Sequence, residues 1–153
     1  MEVRIARAPF DPQAETAAFL ADRRDVGALV SFVGLCRDHH DGRVVDELFL
    51  DHYPGFTQSE IERICQRIAR RFNCPDLLVI HRVGRVVPGD AIVLVAALSQ
   101  HRSEAFEVVG LLMDYLKTDA PLWKRETGPD GVRWIEPRAQ DMARRANADE
   151  VRG

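Results

Sequence analysis

One feature limits the possible folds of this chain more than any other: two short apolar runs separated by a turn signal. Residues 77–81 and 91–98 are almost entirely apolar, as is typical of buried strands. Val87-Pro88-Gly89-Asp90 lies between them, and its proline and glycine favour turn conformations. The two runs therefore predict a hairpin of buried strands.

The remaining chain mixes strand patterns with helix patterns. Residues 44–53 alternate apolar and polar side chains, as a half-buried strand does. Gly128-Pro129-Asp130-Gly131 is a strong turn signal between two short strand-like segments, and it predicts a C-terminal hairpin. Strands are accordingly predicted at residues 2–6, 27–36, 44–53, 77–81, 91–98, 123–126 and 132–136.

Three helices are predicted from capping residues and apolar spacing. Asp11 before Pro12 indicates a helix start, because proline is favoured at the first helical position. Thr57 and Glu60 have the spacing of a capping box ahead of an amphipathic segment. Because helices are interspersed with hairpins, the pattern favours an α+β fold with a mainly antiparallel sheet over a doubly wound one. The helices are predicted at residues 12–21, 57–72 and 103–116.

Length and composition favour one domain. A chain of 153 residues with 46% hydrophobic residues can bury a core of its own. We predict a single domain over residues 1–136, followed by a polar tail, residues 137–153, that is mobile or reaches across a dimer. The sequence contains no repeat, linker or low-complexity segment.

Charge, hydropathy and cysteine content indicate a cytoplasmic protein without nucleic-acid or membrane partners. The formal net charge is −3, whereas binding to a phosphate backbone normally needs a basic surplus on one face. No stretch approaches the roughly 18 uninterrupted apolar residues of a membrane span. Cys36, Cys65 and Cys74 are odd in number and form no C-x-x-C pair, which fits a reducing compartment and predicts neither a disulfide framework nor a zinc knuckle.

The most informative candidate residues are the only two lysines. Of the 21 basic residues 19 are arginine, and the lysines are Lys117 and Lys124. Burial or a nearby cation can bring the pKa of an amine toward neutrality, which a guanidinium does not allow. Lys117 follows the last periodic position of the third helix, and Lys124 lies on the first arm of the terminal hairpin, so the two amines could share one site.

Two histidine segments admit more than one interpretation. His39, His40 and Asp41 are residue types that bind metals, but they lack the spacing of a defined site, and no metal site is predicted. His101 and Arg102 stand where a strand passes into a helix, a place that favours anions. A solvated capping residue explains His101 equally well.

Cysteine chemistry and the common catalytic motifs have less support. Cys36 next to Arg37 could be a reactive thiolate, since a neighbouring cation lowers the pKa of a thiol. For all three cysteines, packing in the core is the simpler interpretation. The chain has no glycine-rich phosphate loop, nucleophile elbow or H-E-x-x-H motif, so the standard nucleotide, hydrolase and zinc-protease assignments have no support.

The segments around both lysines resemble a known enzyme family. Tyr115-Leu116-Lys117-Thr118 and Ala120-Pro121-Leu122-Trp123-Lys124-Arg125-Glu126 are similar to the catalytic large subunit of molybdopterin synthase. Segments upstream match in the same order, so the resemblance covers nearly the whole chain. They include Phe32-Val33-Gly34, His52-Tyr53-Pro54-Gly55, His81-Arg82-Val83-Gly84, Pro88-Gly89-Asp90 and His101-Arg102-Ser103.

The resemblance implies a fold, a reaction and partners. The family's fold is an α/β-hammerhead, and its large subunit forms a homodimer with a small ubiquitin-like partner docked on each end, a heterotetramer. Its reaction belongs to molybdenum cofactor biosynthesis and converts cyclic pyranopterin monophosphate (precursor Z) into molybdopterin. The two dithiolene sulfurs come from the C-terminal Gly-Gly thiocarboxylate of the partner. The expected class is therefore a sulfurtransferase that needs no cofactor of its own.

The resemblance also assigns site residues. Lys117 and Lys124 match the family's essential lysines. Just before Arg37, Leu35-Cys36 replaces a segment that often carries a lysine in relatives. The residues that match the lining of the family's substrate pocket are Arg37, His101, Arg102, Arg125 and Glu126, and Arg138 matches an arginine contributed across the dimer.

These residues suggest a mechanism, and two rivals stand beside it. The partner's C-terminus would enter a pocket beside Lys117, whose amine would stabilise acyl and tetrahedral species, while Lys124 would position substrate or move protons. Arg37, His101 and Arg102 would hold the substrate phosphate.

A lysine Schiff-base lyase or aldolase would also use paired amines, and a non-catalytic module would use the basic cluster to dock a phosphate or an acidic protein tail.

Overall fold

Two four-stranded sheets, a small hairpin and four helices make up the part of the chain that the computed structural model describes, residues 1–136 and 139–150. The side chains of residues 145 and 148–150 are outside this description. The helices are α1 (Pro12–Leu20), α2 (Phe56–Phe72), α3 (Arg102–Thr118) and α4 (Ala139–Glu150). The strands are β1 (Glu2–Ala6), β2 (Ala28–Leu35), β3 (His39–His40), β4 (Arg43–Val44), β5 (Glu47–His52), β6 (Asp76–Arg82), β7 (Gly84–Val86), β8 (Ala91–Ser99), β9 (Leu122–Gly128) and β10 (Gly131–Ile135).

The first sheet has the strand order β1-β6-β8-β2. β6 and β8 pair antiparallel, with Val79 opposite Val95, which confirms the predicted hairpin of buried strands. Both strands are buried because α2 and α3 cover one face of the sheet and α1 lies on the other. β1 runs parallel to β6, and the other two strand pairs are antiparallel. The α+β class with mainly antiparallel pairing is therefore confirmed.

The second sheet has the order β10-β9-β5-β7, and it carries the predicted C-terminal hairpin. β9 pairs with both β10 and β5, so its residues lie in the interior of this sheet. The predicted strand at 44–53 is divided, because β4 turns away to pair with β3 in a separate two-stranded hairpin. Asp41 and Gly42 make that turn with positive φ angles of 52° and 77°. Residues 39–44, where no strand pair is predicted before residue 44, thus form an ordered hairpin beside the second sheet.

The main hydrophobic core lies between the first sheet and the two long helices. α2 contributes Ile61, Ile64, Cys65 and Ile68, each at most 1% exposed, at the spacing of one helix face. Burying one such aliphatic side chain stabilises the fold by roughly 1.5–3 kcal/mol. α3 contributes Ala105, Val108, Val109, Leu111, Leu112, Tyr115 and Leu116. Because α3 is packed along its length, the position of its last turn is well defined.

The start of α2 differs from the prediction. The capping box expected at Thr57 and Glu60 is wrong, because the helix is preceded by Gly55 at its N-cap without a side-chain cap. Thr57 is instead fully buried. Its hydroxyl accepts a hydrogen bond from the backbone N–H of Tyr53 and donates one to the carbonyl oxygen of Pro121, both at 3.0 Å. Thr57 therefore connects α2 to the chain that enters β9.

The three predicted helices are confirmed, and a fourth follows them. Asp11 caps α1 by accepting hydrogen bonds from the backbone N–H groups of Gln13 and Ala14. α4 occupies a segment in which only a polar tail is predicted, and it packs against α3. Within the described residues, no helix is long and apolar enough to cross a membrane.

Candidate active site

A pocket opens where the end of α3 meets β2, β9, the β3–β4 hairpin and the start of α4. Its volume is about 670 Å³. Both lysines line it, so the shared site that the sequence allows is present in the structure. The polar lining includes Arg37, His40, Lys117, Lys124, Glu126 and Asp141.

The floor of the pocket depends on a glycine in β2. Gly34 lies opposite Val93 of β8. A Cβ atom added at Gly34 would stand 2.8 Å from Cγ1 of Val93 and 3.4 Å from a ring carbon of Phe32. Since real Cβ atoms essentially never come within 3.0 Å of a neighbour, any larger residue at Gly34 would displace the side chain of Val93 and so disturb the packing beside the pocket.

Lys124 is the half-buried amine of this pocket. β9 places it opposite Leu50 and on the same face as Glu126, two positions further along the strand. Burial lowers the pKa of its ammonium group, and the positive charge of Lys117 lowers it further. Asp141 and Glu126 act in the opposite direction. A lowered pKa raises the fraction of neutral amine, which is the form that attacks carbonyl carbon or accepts a proton.

Lys117 is the accessible amine. It lies in the last turn of α3, where the helix dipole favours a positive charge. Its Nζ donates a hydrogen bond to Oδ1 of Asp141 at 3.2 Å, and its side chain is 42% exposed. The two lysines therefore differ in environment, one being enclosed by the sheet and the other open to a partner or substrate.

Glu126 is held by two neighbours. Nδ1 of His40 donates to its Oε1 at 2.7 Å, and Arg133 donates to its Oε2 from Nε at 3.0 Å and from Nη2 at 2.8 Å. The same Nη2 also donates to the backbone carbonyl of His40 at 2.9 Å. The side chains of Glu126 and His40 are only 13% and 12% exposed. Both carboxylate oxygens are thus bound by protein groups at the edge of the pocket.

Cys36 reaches the pocket without being a reactive thiolate. Burial raises the pKa of its thiol to about 11, and the negative charges of Asp90 and Glu126 raise it as well. Because the thiolate is the nucleophilic form, the thiol is unreactive near neutral pH. Cys65 and Cys74 are also buried and free. Packing, the simpler of the two interpretations, is what the structure supports.

Arg125 does not face the pocket. It alternates with Lys124 and Glu126 along β9, so its side chain lies on the opposite face of the second sheet. There its guanidinium carbon lies 5.1 Å from the ring centre of Phe49 and 5.9 Å from that of Trp134. Both contacts are cation–π interactions.

His101 and Arg102 are also remote from the pocket within one chain. His101 is the N-cap of α3 and Arg102 its first residue, whereas Lys117 is in its last turn. At about 1.5 Å per residue, the Cα atoms of Arg102 and Lys117 are roughly 22 Å apart. Arg138 lies outside the described residues. The structure thus brings Arg37, Lys117, Lys124 and Glu126 together, and it separates Arg125, His101 and Arg102 from them.

The histidine segment shows no arrangement for a metal. His39 is exposed, and its Nδ1 lies 3.1 Å from Oδ1 of Asp38. Nδ1 of His40 instead contacts Oε1 of Glu126. Among residues 1–136 and 139–150, no group of three or more His, Cys, Asp or Glu side chains could hold a metal ion.

Comparison with known proteins identifies the family. The family model described as MoaE protein matches residues 5–119 of this chain. The chain belongs to the MoaE family. The matched region includes Lys117, whereas Lys124 and the β9–β10 hairpin lie beyond its end.

Curated MoaE relatives carry the name molybdopterin synthase catalytic subunit. The protein of Pseudomonas aeruginosa is 44% identical over 94% of this chain and 95% of its own length. The protein of Caulobacter vibrioides is 47% identical over 92% of this chain and 93% of its own. The protein of Escherichia coli is 46% identical over 84% of this chain and 85% of its own. The resemblance inferred from the sequence is therefore confirmed.

Solved structures of MoaE proteins have the same fold. The molybdopterin biosynthesis MoaE protein of Burkholderia ambifaria has a TM-score of 0.79 at 45% identity, and the match covers 95% of both chains. The molybdopterin synthase structure from Staphylococcus aureus has a TM-score of 0.78 at 24% identity, covering 86% of this chain and 94% of that one. The latter likeness concerns the fold alone.

Three residues of this MoaE site were not predicted from the sequence. They are Arg133, Asp141 and, in its role as a partner of Glu126, His40. Arg133 is opposite Glu126 in the β9–β10 register, and the turn at 128–131 contains the signal that predicts this pairing. His40 is 86 positions from Glu126 in the chain, so no local pattern connects them. Asp141 lies on α4, a helix that no capping signal predicts.

Proposed function

We propose that this chain is the catalytic subunit of a molybdopterin synthase, a sulfurtransferase that converts cyclic pyranopterin monophosphate into molybdopterin. The observation that carries the proposal is one pocket that holds a half-buried amine of lowered pKa, Lys124, beside the accessible amine of Lys117. The name shared by relatives at 44% and 49% identity supports it.

The sulfur donor in this proposal is a small ubiquitin-like protein whose C-terminal Gly-Gly ends in a thiocarboxylate. The word "subunit" in the relatives' name supports a protein partner. A tail of two glycines has no side chains, so it can enter a pocket of about 670 Å³ together with a pyranopterin substrate. No cofactor is needed, because the partner delivers the sulfur in activated form.

The two lysines divide the chemistry. The thiocarboxylate sulfur attacks a substrate carbon that bears oxygen, and the carbon–oxygen bond breaks, its oxygen leaving as water or as the phosphate oxygen. Substrate and partner are then joined through a thioester. Water then attacks the acyl carbon, and the ammonium of Lys117 stabilises the oxyanion that develops. The neutral amine of Lys124 accepts the proton of the attacking water. The bond between acyl carbon and sulfur breaks, so sulfur stays on the product and the partner leaves with an ordinary carboxylate.

Of the three residues predicted to hold the substrate phosphate, Arg37 is the one that lines the pocket. Its guanidinium can donate two parallel hydrogen bonds to phosphate oxygens. His101 and Arg102 can take part only if a second copy of the chain supplies them, because their own helix holds them roughly 22 Å from Lys117. We therefore include a homodimer with composite sites in the proposal.

The outer edge of β2 is where we place the second copy. β2 ends the first sheet, and among the described residues no strand pairs with its free edge. Phe32 and Leu35 on this strand are 40% and 56% exposed. A long apolar edge of this kind favours pairing with another chain. Phe106, one turn after Arg102 on α3, is 63% exposed and extends the apolar surface.

Antiparallel pairing of β2 with its own copy would also complete the site. In that arrangement Ala28 of one copy lies beside Leu35 of the other, near Arg37. Ala28 pairs with Ser99 of β8, two residues before His101. The start of α3 in one copy would therefore approach the pocket of the other, which is the placement that a shared phosphate site requires.

The remaining assigned residues take narrower roles in this proposal. Glu126 lines the pocket, but its carboxylate is occupied by His40 and Arg133, so we assign it to the pocket wall. Arg125 supports the opposite face of the sheet. Arg138 stays a prediction from the resemblance.

Compartment and domain limits complete the proposal. The cytoplasm is a reducing compartment, and the free cysteines of this chain fit it. We keep residues 1–136 as the domain, and the reach of the tail across a dimer remains a prediction.

A reconstituted assay with the thiocarboxylated partner tests the function. Lys117→Ala should lower molybdopterin formation at least about 100-fold, the scale expected for removing one oxyanion-stabilising group, and Lys117→Arg, which keeps a positive charge in a different shape, should lower it less. Arg63→Ala, a change on the exposed face of α2, is the matched control. Full activity in both Lys117 variants would refute the catalytic assignment.

Subunit complementation tests the composite site. Lys117→Ala and Arg102→Ala should each be inactive, but after subunit exchange half of the dimers contain one intact site. The mixture should regain about a quarter of wild-type activity. If every group comes from one chain, the mixture stays as inactive as its components.

The lysine environment also favours a second candidate, a Schiff-base enzyme, because an amine of lowered pKa beside a second cation suits carbonyl substrates. Borohydride reduction in the presence of candidate carbonyl compounds distinguishes it. A stable mass increase on Lys124 would favour the Schiff-base enzyme, and its absence together with sulfur transfer would favour the synthase.

A further inference from the structure

The β3–β4 hairpin reaches the active site through one hydrogen-bonded cluster. His40, Glu126 and Arg133 form it, and we call it the Glu126 clamp. Each oxygen of the carboxylate has its own partner, with Nδ1 of His40 at 2.7 Å from Oε1 and Nη2 of Arg133 at 2.8 Å from Oε2. Arg133 also binds the backbone of His40, so the three residues close a ring.

The Glu126 clamp binds a carboxylate close to the half-buried amine of Lys124. Glu126 and Lys124 are two positions apart on the same face of β9, which places their Cα atoms about 6.5–7 Å apart. An unrestrained carboxylate at that distance can turn and form an ion pair with the amine. In the described part of the chain, Glu126 accepts a hydrogen bond from His40 and forms an ion pair with Arg133, and it forms none with Lys124.

We propose that His40 is a positioning residue that, with Arg133, holds Glu126 toward the hairpin and keeps the amine of Lys124 available for proton transfer. The inference rests on the proposed function, since it concerns the amine that serves that reaction. It differs from a purely structural role because removal of His40 should change the chemistry of a lysine on another element.

The electrostatics of the pocket support this assignment. Burial lowers the pKa of Lys124, and Glu126 already opposes that effect from its clamped position. The other groups facing the amine are Lys117 from α3, Asp141 from α4 and His81 from β6. Released from the clamp, Glu126 would be the carboxylate able to move into contact, and contact would raise the pKa further. The remaining charged groups that line the pocket are Arg37, Glu136 and Arg144.

The chain contains only two lysines, so the titration of each amine can be measured separately. Competitive acetylation of the folded protein across a pH series, followed by peptide mass measurement, reports the titration of Lys117 and Lys124 separately, because the chain has no other lysine. The measurement needs neither partner nor substrate. It therefore stays informative even if the wild-type chain proves to make no molybdopterin, the result that would refute the proposed function instead.

Three variants separate the clamp from a general effect. His40→Ala removes the donor to Glu126, and His40→Asn retains a side-chain N–H near the position of Nδ1. His39→Ala is the matched control, because His39 is the adjacent residue, 61% exposed and paired with Asp38.

The expected result is a selective shift. In His40→Ala the titration midpoint of Lys124 should rise by about one pH unit, since one unit corresponds to a tenfold change in proton affinity. The midpoint of Lys117 should stay in place. At a pH below both midpoints kcat should fall about tenfold with KM changed less than twofold, because the neutral fraction of the amine falls by the same factor. His40→Asn should restore most of the activity, and His39→Ala should match wild type.

The Glu126→Gln variant distinguishes the proposed effect from misfolding. It has no carboxylate charge at position 126, so adding His40→Ala to it should leave the titration of Lys124 unchanged. An equal shift with and without the Glu126 charge would overturn the proposal. So would a folded His40→Ala protein, judged by its near-ultraviolet circular dichroism, whose Lys124 titrates as in wild type.

Discussion

Lys117 and Asp141 join the end of α3 to the start of α4 through a hydrogen bond of 3.2 Å. The bond positions the accessible amine at the mouth of the pocket.

Asp141→Asn keeps an acceptor oxygen but removes the charge. Because exposed ion pairs contribute less than about 1 kcal/mol, the free energy of unfolding should hardly change. Molybdopterin formation should fall roughly threefold to tenfold, equivalent to about 1 kcal/mol in the barrier. Met142→Ala on the same helix is the control, and an equal loss in both variants would contradict the prediction.

His81 should make the protein less stable in mild acid. Burial lowers the pKa of His81 from 6.5 to about 4, and the charge of Lys124 adds to this effect. Between these values the unfolded chain binds a proton that the folded chain does not. Stability is therefore unaffected above pH 6.5 and falls as the pH decreases from 6.5 to 4. The loss should be on the order of 3 kcal/mol.

Urea unfolding at several pH values measures that loss. His81→Asn should remove most of the pH dependence in this window, whatever its effect on stability at neutral pH. His39→Asn, at an exposed site, should leave the dependence intact. Identical pH profiles for wild type and His81→Asn would show that another group is responsible.

Alanine substitution at two glycines should change the stability of the protein in opposite directions. A Cβ at Gly128 would lie 2.1 Å from the backbone carbonyl oxygen of Val44, and backbone cannot move aside as a side chain can. Gly128→Ala should therefore destabilise the protein by about 1–3 kcal/mol. Gly110 lies within α3 with nothing near its Cβ position, so Gly110→Ala should stabilise by roughly 0.5–1 kcal/mol. Thermal unfolding of the two variants checks both signs.

Cys36 should be dispensable for sulfur transfer. Its thiol has a pKa of about 11 and is 5% exposed, so a thiol reagent at neutral pH should modify the folded protein slowly and the unfolded protein rapidly. Cys36→Ala should retain at least about half of the activity, because the sulfur comes from the partner, at a stability cost of about 1 kcal/mol for the lost packing. Loss of all activity in a folded Cys36→Ala protein would require a role for the thiol in transfer.

Local signals predicted much of this fold. The turn at 128–131 sets the β9–β10 register, which puts Lys124 and Glu126 on one face and Arg125 on the other. Asp11 and the apolar spacing of α2 also indicate the helices that form. Such features depend on neighbours in the chain, whose geometry short-range rules describe.

Long-range contacts could not be predicted in this way. The partner of His40 is 86 residues away, and the hydroxyl of Thr57 binds the carbonyl of Pro121 rather than its own helix. The arrangement of the sheets likewise depends on where β4 and β5 separate to pair with different strands. No periodicity in the sequence marks that position. For the active site, the resemblance named His101 and Arg102, and the length of α3 shows that they cannot reach the pocket of their own chain.

The division of the protein into two sheets has a consequence for how the family can change. The large buried side chains lie mostly in the first sheet and beneath α2, whereas His40, Lys124, Glu126 and Arg133 belong to the second sheet and its adjoining hairpin. Substitutions in the second sheet can therefore change one wall of the pocket while the hydrophobic core stays packed, whereas substitutions at Gly34 of β2 or Lys117 of α3 act on elements of that core. One wall of the site is thus freer to vary during evolution than the other.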